Sequence, residues 1–177
     1  MNGNAYKVAV GGTVSALCLF LMLLGSVIPV LYLVLPMISG MLIGLICKEI
    51  NLKWAFLTYL CVCVLGAVMT PDKESALVFT VLFGHYPILK HIIRKLKLKP
   101  LAIALKLLVY NVCIITYVQL TVYLLGSHEL AESLSKYGVA AVLFLAFTNF
   151  IFLIYDALIT VFEDAFVSVF KHGRIKK

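Results

Sequence analysis

From Val8 to Cys47 forty consecutive residues carry no charged side chain. The hydrocarbon core of a bilayer takes about 20 apolar residues per helix, so this run predicts two crossings joined by a turn. Gly25, Ser26 and Pro29 mark the turn, and Pro36 falls in the first turn of the returning helix. Four more apolar segments follow, giving six predicted spans at 8–28, 31–47, 54–70, 75–92, 101–125 and 139–162. The breaks between them are polar or turn-forming: 48–53, Thr70-Pro71-Asp72-Lys73-Glu74, 90–100 and 126–138. The fourth segment is the short one, with only fifteen residues from Ser75 to Leu89. Gly84 and Pro87 predict a kink near its end.

Composition agrees with the pattern. Hydrophobic residues make up 63% of the 177 residues and charged residues 13%, where soluble domains have about 45–50% and about 25%. Mean hydropathy is +1.09. The fold expected is an all-α, polytopic membrane helix bundle, a single integral membrane domain over 1–177, in the plasma membrane of a bacterium. Only Lys7 precedes the first apolar run, which continues past Gly25-Ser26, so a cleaved signal peptide is not expected.

The net charge of +7 is a topology signal, and no nucleic-acid partner is expected from it. With the N-terminus in the cytoplasm, thirteen of the fifteen basic residues fall at the inner face and only Lys73 and Lys136 fall outside. This bias predicts six spans with both termini inside. It also requires the fourth segment to cross, since otherwise a basic cluster would lie outside. Between 88 and 99 the pattern changes to a basic amphipathic surface segment. Ile88, Leu89, Ile92, Ile93 and Leu96 share one helical face, and Lys90, His91, Arg94, Lys95 and Lys97 the other. Phe162, Phe166 and Phe170 repeat the theme, with Glu163 and Asp164 opposite them.

Polar groups inside lipid are expensive and mark candidate sites. Asn111 and Asn149 fall near the middle of the fifth and sixth spans, and His85 falls in the fourth; an amide pair and an imidazole at one level suit a small polar solute, and the two amides equally suit hydrogen bonds between neighbouring helices. Lys106 and Asp156 fall at matching depth and predict an ion pair between the last two spans. Toward the outside, Gln119, Thr121 and Tyr123, the loop residues His128, Glu129, Glu132 and Tyr137, and the turn around Tyr32 would rim an outward pocket. Gly11-x-x-x-Ser15, Gly12-x-x-x-Ala16 and Gly40-x-x-x-Gly44 are helix-packing pairs. The five cysteines all sit in or beside apolar runs and read as packing residues. No cofactor or metal is expected. The chain has no His-Glu-x-x-His pair, no Gly-x-Ser-x-Gly turn and no phosphate-binding glycine loop, so a non-enzymatic protein without its own nucleotide site is expected.

Six short spans, both ends inside, and small-residue pairs in the first span resemble the substrate-binding S-component of an energy-coupling-factor vitamin transporter. In that family small residues of the first helix, in an Ala-x-x-x-Ala pattern, face a transmembrane coupling subunit; here Gly12 and Ala16 stand in that place, with glycine in the first position. The resemblance implies a small-solute site near the outer side and partner ATPases that supply the energy. The residues assigned to solute are Asn111, Gln119, Asn149, His85 and Tyr123, and those assigned to the partner are Gly12, Ala16, Arg94 and Lys95. The segment Gly84-His85-Tyr86-Pro87-Ile88-Leu89-Lys90 is also similar to one in small uncharacterised bacterial multi-pass membrane proteins, a likeness that implies no function. The alternative expectation is a structural or assembly protein of the cell envelope that works through its helix faces.

Overall fold

The computed structural model describes residues 3–95, 98–126 and 138–175, with the side chains at 29, 99, 125, 140, 167 and 169–175 not among those described. The chain is helical almost throughout. Helix α1 covers Asn4–Val27, α2 Val34–Glu49 and α3 Leu52–Met69. The fourth segment is broken into α4 (Lys73–Val78), a π-helical turn (Phe79–Phe83) and α5 (Tyr86–Ile93). Helices α6 (Lys99–Leu125) and α7 (Gly138–Ile175) complete the bundle.

Helix ends follow local chemistry. The Asn51 side chain accepts from Trp54 N at 3.0 Å and caps α3. Asp72 accepts from Glu74 N and Ser75 N and caps α4. Lys73 Nζ donates to the Ala67 and Thr70 carbonyls at 2.8 and 2.9 Å, closing the end of α3. Gly126 ends α6 with φ of 65°, a left-handed conformation that favours glycine.

Among the described residues, five segments are long and apolar enough to cross a membrane: Asn4–Val27, Leu52–Met69, Lys73–Ile93, Pro100–Leu124 and Ala141–Phe166. Helix α2, with 16 residues, is about 24 Å long and falls short of that length. Its packing sets it apart. Leu35, Ser39, Ile43, Ile46 and their neighbours are buried, and α2 touches α1, α3, α5, α7 and the π turn. The broken segment is the other central element: 61% of it is buried, against 17–33% for the other four long segments. Helices α1, α3, α6 and α7 surround these two and turn their exposed leucines, isoleucines, valines and phenylalanines outward. An apolar exterior of this kind suits lipid rather than water.

The break in the fourth segment is built into the core. In the π turn Gly84 N donates to Phe79 O at 2.6 Å. The chain then restarts at Tyr86, with Pro87 in the first turn of α5. Tyr59 of α3 donates to Thr80 O at 2.9 Å, and Tyr155 of α7 donates to Phe83 O at 3.1 Å. Gly40 of α2 lets these groups come close: a Cβ there would lie 2.2 Å from the Tyr155 hydroxyl and 2.6 Å from Phe83 O. Rings fill the remaining space. Phe83–Tyr155 and Tyr86–Phe152 meet edge to face at 4.8 Å, and Tyr110 stacks on Phe152 at 4.2 Å. The kink anticipated at Gly84 and Pro87 is thus a full interruption that begins at Phe79.

One expectation is corrected. The surface segment 88–99 does not lie as one helix along a surface. Its described helix stops at Ile93, and Ile88, Lys90 and Ile93 are buried in the bundle. Lys90, expected on the solvated face, is only 3% exposed, because α7 supplies its partners. Helix α7 has 38 residues, about 57 Å of helix, and continues beyond the apolar stretch Ala141–Phe166.

Gly40→Ala is expected to destabilise the bundle by about 2–3 kcal/mol, since backbone and a hydrogen-bonded tyrosine must move. Gly12→Ala, with open space at its Cβ, is expected to leave stability unchanged or raise it by about 0.5–1 kcal/mol. Thermal unfolding in detergent checks both.

Candidate functional site

The chain's direction gives the bundle two ends. One gathers the N-terminus of α1, the α2–α3 and α5–α6 connections and the end of α7, and carries most of the lysines. The other gathers the α1–α2 and α3–α4 turns with the end of α6.

At the second end a polar cavity of about 400 Å³ opens among Gly25, Ser26, Tyr32, Asp72 and Glu74. The last turn of α1 contributes Gly25 and Ser26, the α1–α2 turn contributes Tyr32, and the start of α4 contributes the two acids, Asp72 as its cap and Glu74 in its first turn. Asp72 is held by its capping bonds and by Ser75 Oγ. Glu74 Oε1 accepts from the Tyr117 hydroxyl of α6 at 2.8 Å. Burial, reinforced by the neighbouring Glu74 and Asp72 carboxylates, pushes the Tyr32 phenol up from its ordinary value, so it stays a neutral donor. Two carboxylates, a phenol and a hydroxyl around a cavity this size suit a small solute that brings hydrogen-bond donors or positive charge. Asp72 and Glu74 were legible in the sequence only as turn formers. The signal that could have found them was two acids two residues apart, Asp72 and Glu74, in a short turn between two apolar segments.

Thr121 and Gln119, expected at one rim, part company. Thr121 is 5% exposed. Its hydroxyl lies near Tyr117 without a well-formed hydrogen bond. Gln119 and Tyr123 line a shallow, open crevice of about 840 Å³ along α6 with Thr116, Val118 and Val122, and Tyr123 is 86% exposed. The expected contributions of His128, Glu129, Glu132 and Tyr137 lie outside the described residues.

At mid-depth Asn111 and Asn149 do lie level, and they bind each other. Asn111 Nδ2 donates to Asn149 Oδ1 at 3.1 Å, and Asn149 Nδ2 donates to Asn111 Oδ1 at 3.0 Å. Each amide also donates to a carbonyl one turn back, Leu107 O at 2.8 Å and Leu145 O at 2.7 Å. The pair closes on itself and clasps α6 to α7. His85 joins neither amide; its Nε2 lies 3.5 Å from Cys113 Sγ.

Toward the lysine-rich end lies a buried ionic cluster. The anticipated Lys106–Asp156 pair is present at 2.9 Å. Lys90 joins it at 2.8 Å, and Lys90 Nζ also donates to Asp156 O and, at 2.7 Å, to Thr160 Oγ1. Tyr86 adds a hydroxyl bond to Asp156 Oδ1. One carboxylate of α7 therefore ties down α5 twice and α6 once. Arg94 reaches Glu163 at 3.2 Å, and Lys48 reaches Asp164 at 2.7 Å. Sequence spacing found Lys106 and missed Lys90 and Tyr86. Lys95 is exposed. On α1, Gly11 and Ser15 face the interior, while Gly12 and Ala16 lie on the outside.

No protein family, curated protein or solved structure matches this chain.

Asp156→Asn is expected to lose about 3–5 kcal/mol of stability, because it leaves two lysines without a counter-charge. Asn111→Leu alone is expected to lose about 1 kcal/mol by stranding Asn149, and the double change to leucine to recover most of it. Unfolding midpoints of the three variants decide this.

Proposed function

We propose that this chain is the substrate-binding membrane subunit of a small-solute uptake transporter, of the S-component kind, energised by separate partner subunits. On this reading it crosses the plasma membrane of a bacterium six times with both termini in the cytoplasm. The thirteen-to-two distribution of basic residues supports that orientation. Helix α2 counts as a crossing despite its length, because most of its surface packs against protein and little of it needs a hydrophobic match to the bilayer. The cavity of Gly25, Ser26, Tyr32, Asp72 and Glu74 then opens to the outside.

That cavity carries the proposal. It is a polar, solute-sized space at the end away from the basic residues, formed by two turns on an otherwise apolar bundle. Tyr32, Ser26 and Glu74 would bind the solute, with Asp72 holding the turn. Gln119 and Tyr123 border the neighbouring crevice and suit entry rather than tight binding. Asn111, Asn149 and His85 keep a supporting role below. The exposed Gly12 and Ala16 on α1 leave room for a coupling helix to approach closely, and Arg94 and Lys95 would meet the partner at the cytoplasmic side. A vitamin-like solute with an amine or several hydroxyls fits the acidic lining.

The self-satisfied Asn111–Asn149 pair favours a second reading, a structural or assembly protein acting through helix contacts.

Purification of the tagged chain from its native membranes distinguishes the two. The expected result is co-purification of an ATPase-bearing complex and a retained small molecule identified by mass spectrometry. Glu74→Gln should lose most of that molecule at an unchanged melting temperature, and Gly12→Leu should shed the partner. A lone chain without solute would sink the transport reading.

A further inference from the structure

We propose that the Lys90–Asp156–Lys106 cluster holds the phosphate of one anionic phospholipid, through Lys106, on the lysine-rich side of the membrane. The inference rests on charge and on donor counting, and stands apart from the solute reading.

Among the described residues four cations, Lys48, Lys90, Arg94 and Lys106, share three carboxylates, Asp156, Glu163 and Asp164. The imbalance falls on Asp156, which serves both lysines. Lys90 needs nothing more. Its ammonium donates to Asp156 O and Thr160 Oγ1 and lies 2.8 Å from Asp156 Oδ1, so three acceptors enclose it. Lys106 donates only to the two Asp156 oxygens, at 3.1 and 2.9 Å. The surplus positive charge and the unused donor therefore belong to the same side chain.

Lys106 is also the more open of the two, with 16% of its side chain exposed against 3% for Lys90. Ile103, one turn nearer the lysine-rich end on the same face of α6, is exposed, so the opening meets lipid. Lys106 lies seven residues into α6, about 10 Å from its start, within reach of the headgroup level for a snorkelling ammonium. The cluster's one surplus positive charge is unfavourable at that depth in hydrocarbon. A lipid with net negative charge neutralises it, whereas a zwitterionic lipid brings its own cation along. Anionic headgroups gather at basic surfaces between helices for the same reason.

The test uses the purified full chain in nanodiscs of phosphatidylcholine, with and without phosphatidylglycerol, read by thermal unfolding and by native mass spectrometry. Wild type should melt about 3 °C higher with phosphatidylglycerol and retain one molecule of it. Lys53→Met, which removes an exposed lysine from the same end, should respond like wild type. Lys106→Met leaves the Lys90–Asp156 pair balanced, so it should melt at least as high as wild type in phosphatidylcholine and lose the response. Inorganic phosphate added to phosphatidylcholine discs should not reproduce the shift. The proposal is overturned by a full phosphatidylglycerol response in Lys106→Met, by Lys106→Met melting below wild type in phosphatidylcholine, by equal rescue with free phosphate, or by wild type retaining no phosphatidylglycerol.

Discussion

Hydrocarbon offers no water to a backbone carbonyl, and this protein interrupts a helix in the middle of its most buried segment. Every other feature of the core follows from satisfying that interruption. Tyr59 and Tyr155 reach in from opposite sides to bond Thr80 O and Phe83 O. Gly40 has no side chain because the Tyr155 hydroxyl and the Phe83 carbonyl occupy its Cβ space. The broken segment must therefore sit at the centre, against α2 and between α3 and α7, where protein groups replace water. Helix α2 can be short for the same reason: most of its surface meets protein, with Val34 and Ile38 left exposed on one face.

The interruption separates two chemistries. Before it, α4 starts at a capped turn whose carboxylates face a polar cavity. After it, α5 carries Tyr86 and Lys90 onto Asp156 of α7. One piece belongs to the acidic end and the other is bound to the basic end, with a π turn between them. π turns recur at functional sites. A solute that altered the turn at Asp72 and Glu74 would act on the same segment that the ionic cluster anchors, a direct physical link between the proposed outward site and the opposite face.

The arrangement was partly legible in the sequence. Hydropathy and turn residues placed the apolar segments to within a few residues, because lipid-facing helices answer to composition more than to tertiary detail. Equal depth paired Lys106 with Asp156 and levelled Asn111 with Asn149. What spacing could not supply was which neighbour each group meets. Lys90 shares a helical face with His91 and Arg94, so periodicity alone placed it in solvent; Asp156 and Thr160, far along the chain, bury it. The amides satisfy each other rather than a solute, an outcome that depends on the approach of α6 to α7. The π turn hides in a plain hydrophobic run, Phe79 to Phe83, with Gly84 and the segment's shortness as its only traces. The polar cavity forms where two turns meet, and no pattern within either turn announces it.

The central claim is that the interrupted fourth segment crosses the membrane, leaving the Asp72–Glu74 turn outside and the α5–α6 connection in the cytoplasm. Single cysteines at two exposed positions, Lys73→Cys and Lys95→Cys, in a chain whose five native cysteines are replaced, test it with a membrane-impermeant maleimide on intact cells. The account predicts labelling of the first from outside and labelling of the second only after permeabilisation. Labelling of both positions from the same side would contradict it.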